Sequence, residues 1–446
     1  MSSLQSLPPG QEPPSDPLGA LRWMNEKHFV VIEAGKTVVT TEWIDPELDR
    51  RMLMRSSFGD LKNYYCNKWV NAKDSNGNSK RVPLGHYWLN ANDRRQFKGI
   101  VCAPGGDVEG YYNLWKGFSV DPRKGDWSLM QAHIADNICA GRDEVYRYVL
   151  GWMAFAVQKP NVLPEVALVM RGKQGTGKGV FARGFGKLFG QHFLHVARPE
   201  NLVGNFNAHL RDAIVVFADE ASLVGDKVSE GVLKALITEE ELTIEGKFKD
   251  IVTCRNLVHL IVASNNERII NAAPEERRFC VLDVSDKHMQ QTDYFAAIAN
   301  QMDEGGREAM LYDLEREDLK VFDPRKYPAT GALQDQKIQS MPPEVLWWFK
   351  TLQRGWLTTE RDGWPTEVLR RDLLNEYRAG TKRFQDEAQD LGYVLKKLLP
   401  DGYPGEGPRP TVDGERQRMW AIPSLDMCRA EFEKNFKMSN CWPDEG

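Results

Sequence analysis

Eight consecutive residues, Gly172, Lys173, Gln174, Gly175, Thr176, Gly177, Lys178 and Gly179, have the types and spacing of a phosphate-binding loop. Glycines there let backbone N–H groups curl around phosphate oxygens, and a lysine supplies the compensating charge. The stretch follows an apolar run, Val166 to Met170, and precedes a helical pattern from Gly179 to Phe189. That is the strand-loop-helix context such a loop requires. Gly179 stands where a Ser or Thr hydroxyl ordinarily touches magnesium, so the pattern is broken at its metal-holding position. Taken by itself, the stretch also reads as a glycine-rich turn with no ligand.

A second element argues for a nucleotide site. The run AIVVFADE, Ala213 to Glu220, ends in Asp219 and Glu220 and puts two carboxylates at the C-terminal edge of a sheet, where ligands of open α/β folds bind. Asp219 has the chemistry to hold magnesium through water, and Glu220 to orient or deprotonate an attacking water. Without the loop upstream, such a pair is an ordinary solvated acidic turn. Asn265 ends a third apolar run, LVHLIVASN, and a strand beside the acidic one would present its amide to the γ-phosphate. Alone, it reads as a turn residue.

The elements that must position these groups form an α/β pattern between residues 161 and 322. Apolar runs alternate there with helical stretches, which predicts a parallel sheet with crossover helices. Four strands are expected, at Val166–Met170, Ala213–Glu220, Leu257–Asn265 and Phe279–Val284, with a helix at Ser229–Thr238. Residues 1–19 are rich in Pro, Ser and Gln and read as a disordered tail without the features of a signal peptide. Residues 20–124 mix short β-like runs with aromatic turns and form an N-terminal α/β appendage that suggests no chemistry. Residues 125–160 read as a helical collar in two segments broken at Ala140-Gly141. Residues 323–335 have the Pro and Gly content of a linker. Residues 336–446 carry three helical stretches, a strand-turn-strand signal with Asp413-Gly414 at its turn, and a last helix, which together predict a winged-helix-like domain.

Charge and composition bound the function. The 446 residues carry 58 Lys and Arg against 63 Asp and Glu, a net charge of -5, which lacks the excess of a typical nucleic-acid binder but is compatible with a local basic ring. Seven cysteines are scattered singly, which argues against a structural zinc site and a disulfide framework. No window nears the roughly eighteen apolar residues of a membrane span, so a cytoplasmic protein with no membrane partner is expected. The C-terminal stretch from Met341 has sixteen basic and eighteen acidic residues, with its basic cluster at Arg370 to Arg383. That cluster is the face expected to touch DNA, if the domain does so.

The order GKQGTGKG, VVFADE, LIVASN and EERRF resembles the helicase core of superfamily 3, the AAA+ branch found in small DNA viruses, phages and poxviruses. YNLWKGFSVDP, RGKQGTGKG, VFADEA, LKALITEE and RRFCVLDV are similar to the helicase part of phage primase-polymerase proteins. The likeness covers Tyr112 to Val284, and the C-terminal tail more loosely. It implies an AAA+ P-loop core, ATP and Mg2+ as cofactors, and a homo-oligomer in the form of a hexameric ring. Lys178, Asp219, Glu220 and Asn265 of one subunit would act with Arg278 of the next as an arginine finger, with Arg277 in a sensor or interface role. An internal salt bridge is the structural alternative for these arginines. Asp219 and waters would carry the protein's contacts to the metal, and Gly179→Ser is expected to preserve or tighten magnesium-dependent ATP binding.

A hairpin within LTIEGKFKDIV, turning at Glu245-Gly246, would by the same likeness line the ring's channel with Lys247, Phe248 and Lys249 against DNA. A surface hairpin with solvated lysines is the alternative. The implied function is an ATP-dependent DNA helicase or translocase of phage or prophage replication, acting on single-stranded or forked DNA in the bacterial cytoplasm beside a separate primase or polymerase. A nucleotide-switch assembly or loading factor, which would hydrolyse ATP without unwinding, is the second reading.

Overall fold

The computed structural model describes residues 12–33, 35–47, 50–73, 77–198, 200–204, 207–219, 227–245, 252–359, 363–412, 414–438 and 441–443. The first helix, α1 (Pro17–Lys27), begins inside the stretch expected to be a tail. Asp16 accepts a hydrogen bond from the Gly19 N–H and Pro17 opens the first turn, and both are helix-start signals. An antiparallel meander of β1 (His28–Glu33), β2 (Lys36–Asp45) and β3 (Arg50–Ser56) follows. Then come α2 (Phe58–Tyr64), the ribbon β4 (Trp69–Lys73) and β5 (Ser79–Pro83), α3 (Leu84–Asn90) and β6 (Gln96–Phe97), which joins β1 in parallel. A short parallel pair, β7 (Gly99–Val101) and β8 (Tyr111–Asn113), completes this region. One face of its sheet packs on the helices through Met24, Val30, Val39 and Trp88, and the other buries Phe29, Val31 and Tyr112.

The collar starts with α4 (Ser128–Ala132), which runs into a π-helical turn at His133–Ile138. Ala140 and Gly141, both at positive φ, interrupt it before α5 (Asp143–Gln158). Val149, Trp152, Met153, Ala154 and Ala156 of α5 are all fully buried, as expected of a helix that is apolar around most of its circumference.

Next come β9 (Ala167–Arg171), α6 (Lys178–Gly186), β10 (Phe193–Val196), α7 (Glu200–Val203), β11 (Val215–Ala218) and α8 (Lys227–Thr238). The chain continues through β12 (Glu241–Ile244), β13 (Val252–Arg255), β14 (His259–Ser264), β15 (Phe279–Asp283), α9 (Thr292–Gln301) and α10 (Arg307–Leu314). Five of these strands form a parallel sheet in the order β10-β11-β14-β9-β15. Alternate residues of β11 enter different cores, Val215 and Phe217 on one face and Val216 and Ala218 on the other. Burial on both faces is why the strands read as unbroken apolar runs. The four expected strands are present, and β10 is an additional one. Its sequence FLHV carries an exposed-side His195 and among the described residues pairs only with β11, so its apolar signal is weak.

The segment read as a linker runs into α11 (Gly331–Gln339), which begins within it and extends four residues past its expected end. Thr330 Oγ1 donates to the Val281 carbonyl and accepts from the Leu333 N–H, and buried Gln336 accepts the N–H groups of Ile269 and Ile270. Tertiary packing thus overrides its Pro and Gly content. The C-terminal region contains α12 (Pro343–Arg354), β16 (Glu367–Leu369), α13 (Arg370–Thr381), α14 (Ala388–Leu398), β17 (Gly405–Glu406), β18 (Thr411–Val412), β19 (Glu415–Arg416), β20 (Met419–Ala421) and α15 (Leu425–Phe436). β16, β20 and β17 form an antiparallel sheet over a core that includes Trp348, Tyr377, Leu391, Trp420 and Phe432. The β18-β19 hairpin carries Gly414 at positive φ, and Asp413 lies outside the described residues. Arg370, Arg378 and Arg383, the basic cluster, are engaged by Glu406, the Asp386 carbonyl and Glu344.

Candidate nucleotide-binding site

The loop lies where β9 meets α6, at the C-terminal edge of the sheet. Gly175 and Gly177 have φ of +80° and +89°, a conformation that side-chain-bearing residues adopt at a cost. The turn that hands the chain to α6 therefore depends on glycine. Lys178, the first residue of α6, is only 7% exposed. Its Nζ donates to the Gly172 carbonyl at 2.6 Å, the Lys173 carbonyl at 2.8 Å and Asn265 Oδ1 at 2.9 Å. Asn265 directly follows β14, which lies between β9 and β11, and is solvent-exposed. Two residues 87 positions apart are thus brought into hydrogen-bond contact at one edge.

The collar holds the loop from behind. Asn137 Nδ2 donates to the Thr176 carbonyl at 3.0 Å, and His133 Nε2 lies 3.1 Å from the Gly177 carbonyl. That carbonyl can only accept, so Nε2 carries the proton and Nδ1 accepts from the Tyr294 hydroxyl, 3.3 Å away. Burial pushes the His133 imidazole down to about 4, with the Gly177 hydrogen bond opposing this, so the ring is neutral at ordinary pH. Both residues sit in the π-helical turn, a feature frequent at functional sites. Neither was singled out from the sequence. Their spacing of four, on one helical face, was the available signal.

Asp219 follows β11 and receives a backbone tie to Val196 of β10 through its N–H. Its Oδ2 lies 4.0 Å from Arg183 Nη1 and 3.6 Å from His195 Nε2. Arg183 and His195 were likewise not singled out in the sequence. Glu220 lies outside the described residues, as do Lys247, Phe248 and Lys249. The strands that flank the last three are described: β12 and β13 pair antiparallel from Glu241↔Arg255 to Ile244↔Val252. Asn207 braces the first arm, donating to the Thr243 carbonyl and accepting from the Glu245 N–H.

The glycine cradle and Lys178 fit a polyphosphate, because a phosphate would replace carbonyl oxygens as partner of the ammonium. The metal expectation fits less well. Gly179 offers no oxygen, and the Arg183 guanidinium faces the Asp219 carboxylate that was expected to hold magnesium. No group of three or more His, Cys, Asp or Glu side chains forms a metal cluster among the described residues.

Arg277 and Arg278 lie at the opposite edge of the sheet. Arg278 directly precedes β15, and its carbonyl accepts the Ala167 N–H at the start of β9. A strand of this length separates it from its own loop by about 13 Å along the sheet. Arg278 pairs at 3.6 Å with Glu276, whose buried carboxylate also accepts the N–H groups of Arg277 and Arg278. Arg277 is exposed. Both border a cleft of about 490 Å³, lined also by Glu275, Lys337 and Lys437.

A family model described as a family of unknown function (DUF5906) matches residues 170–278. That span takes in the loop, Asp219, Asn265 and both arginines. The DNA primase-polymerase of Nitratiruptor phage NrS-1 is 30% identical over 145 residues, which is 32% of this chain and 20% of that protein. The chain therefore spans about a fifth of that relative's length. Two solved structures of the NrS-1 C-terminal region align with TM-scores of 0.62 and 0.63 at 17% identity, over 92% of this chain and 100% of theirs. This chain has the fold of that C-terminal region. No helix among the described residues is long and apolar enough to cross a membrane.

Proposed function

We propose that this chain is the motor of a phage or prophage DNA-replication protein, an ATP-driven helicase or translocase of the AAA+ superfamily 3 type working as a ring, six subunits in the simplest case. The observation that carries the reading is the contact of Lys178 with Asn265, with Asp219 on the next strand. Loop, amide and carboxylate converge at one edge of a parallel sheet, where such folds bind ligands. ATP would lay its phosphates over Gly172 to Gly179 and draw Lys178 from the Gly172 and Lys173 carbonyls. Asn265 would stay within reach of the γ-phosphate, and Glu220 would orient the attacking water.

The opposite-edge position of Arg278 supports an oligomer, because that guanidinium can serve a nucleotide only in a neighbouring subunit. The hairpin carrying Lys247 to Lys249 is the element that would grip single-stranded or forked DNA. With its arginines paired internally, the winged-helix-like C-terminal region is better suited to contacts with a partner such as a primase or polymerase. The similarity to a phage DNA primase-polymerase supports placing the work in replication within a host cytoplasm. Strand displacement tests the reading: purified protein should unwind a forked duplex when ATP is supplied. Hydrolysis without unwinding would point to a loading or assembly switch instead.

A further inference from the structure

Gly179 and Arg183 are one helical turn apart and meet across that turn. Long side chains in a helix run back toward its N-terminus, which carries the Arg183 guanidinium over Gly179. A Cβ at residue 179 would lie 2.6 Å from Nη1 and 3.0 Å from Cζ and Nη2. On its other side Nη1 is 4.0 Å from Asp219 Oδ2. A positive charge therefore stands in the gap between residue 179 and the acidic strand. In the usual loop, a hydroxyl at this position and the strand's carboxylate hold a divalent cation in that gap.

We propose that Arg183 takes over the role of the metal in nucleotide binding: the chain binds a nucleoside triphosphate through Lys178 and Arg183 without requiring a divalent cation. The inference rests on the nucleotide reading above. A guanidinium stays charged at any ordinary pH and offers a planar fork of donors that matches phosphate oxygens. At 4.0 Å it is only loosely paired with Asp219, and its side chain is 46% exposed, so it can turn to an incoming phosphate. A divalent ion placed at Asp219 would be repelled by it. Gly179 is then not a damaged residue. It is the space that Arg183 needs, and any side chain there would push the guanidinium aside.

Equilibrium titration of the full chain with a fluorescent ATP analogue, mant-ATP, in magnesium and in EDTA, tests this. Wild-type affinity is expected to differ by less than about threefold between the two buffers, and Arg183→Gln to bind about tenfold more weakly than wild type in EDTA, the loss of one charge-assisted hydrogen bond. Gly179→Ser, which displaces the guanidinium, should weaken in EDTA and recover in magnesium. Arg183→Lys keeps the charge and should regain part of the lost affinity. If it binds no better than Arg183→Gln, the loss is one of packing and the assignment fails. Wild-type binding that drops about tenfold or more in EDTA, or an Arg183→Gln protein equal to wild type there, also overturns it. Those outcomes leave the nucleotide site itself standing, because Lys178→Ala would still abolish binding in both buffers. A wild-type protein that binds no nucleotide in either buffer sinks both readings.

Discussion

Asn137→Leu isolates the anchoring of the loop to the collar. Asn137 is fully buried, its Nδ2 donates to the Thr176 carbonyl, and its Oδ1 has no hydrogen-bond partner among the described residues. Leucine is similar in volume and shape, so the donor is removed without opening a large cavity. Two effects then oppose each other. The Thr176 carbonyl loses its partner at a cost of about 1–3 kcal/mol, while removal of an unpaired buried oxygen returns a similar amount. Global stability should therefore shift by less than about 1 kcal/mol in urea denaturation. The loop has no share in the compensation, since the lost bond acts only on the conformation that faces the collar. A local loss of about 1.4 kcal/mol corresponds to roughly tenfold faster hydrogen exchange in the peptide covering Gly172 to Gly179. Peptides from β11 and β14 should exchange as in wild type. Unchanged loop exchange would refute the reasoning, and so would a uniform acceleration across the sheet, which would mean global destabilisation.

Other consequences follow from the same geometry. His28, His133 and His259 are buried, and burial pushes each down to about 4. The native chain then binds fewer protons than the unfolded one between pH 6.5 and 4, so stability is full above about 6.5 and is lost as pH falls, by about 2 kcal/mol per histidine at pH 5. A urea midpoint that stays flat from pH 7 to 5 would contradict this. Gly380→Ala would drive a methyl group into the Trp347 indole inside the C-terminal core, so tryptophan fluorescence should report destabilisation of that region by about 1–3 kcal/mol, less any gain in helix propensity. The double variant Lys247→Ala, Lys249→Ala should keep basal ATP hydrolysis and lose its stimulation by single-stranded DNA, and retained stimulation would remove the hairpin from the mechanism.

The loop and the central sheet were legible because their signals are local. Glycine spacing, a lysine at the start of a helix and doubly buried apolar strands leave marks within a dozen residues, and the strand ahead of Asn265 brings its amide to Lys178. What was missed depends on contacts distant in sequence or on short elements. The collar ties run from His133 and Asn137 to carbonyls 44 and 39 positions away. β10 is a four-residue edge strand with a histidine in it, and α11 owes its helix to burial against β15 and not to composition. Arg183 is the exception: its spacing of four from Gly179 was visible, but only the backbone path shows that the missing side chain and the guanidinium share one space.

The central claim is that Lys178, Asn265 and the acidic strand form an ATP-hydrolysing site coupled to DNA. ATP turnover by the purified chain, with and without single-stranded DNA, tests it most directly when wild type and Lys178→Ala are compared side by side. Turnover that rises with DNA in the wild type and is absent from the variant is the expected result. Hydrolysis that survives Lys178→Ala, or a wild-type protein that hydrolyses no ATP under any DNA condition, would contradict it.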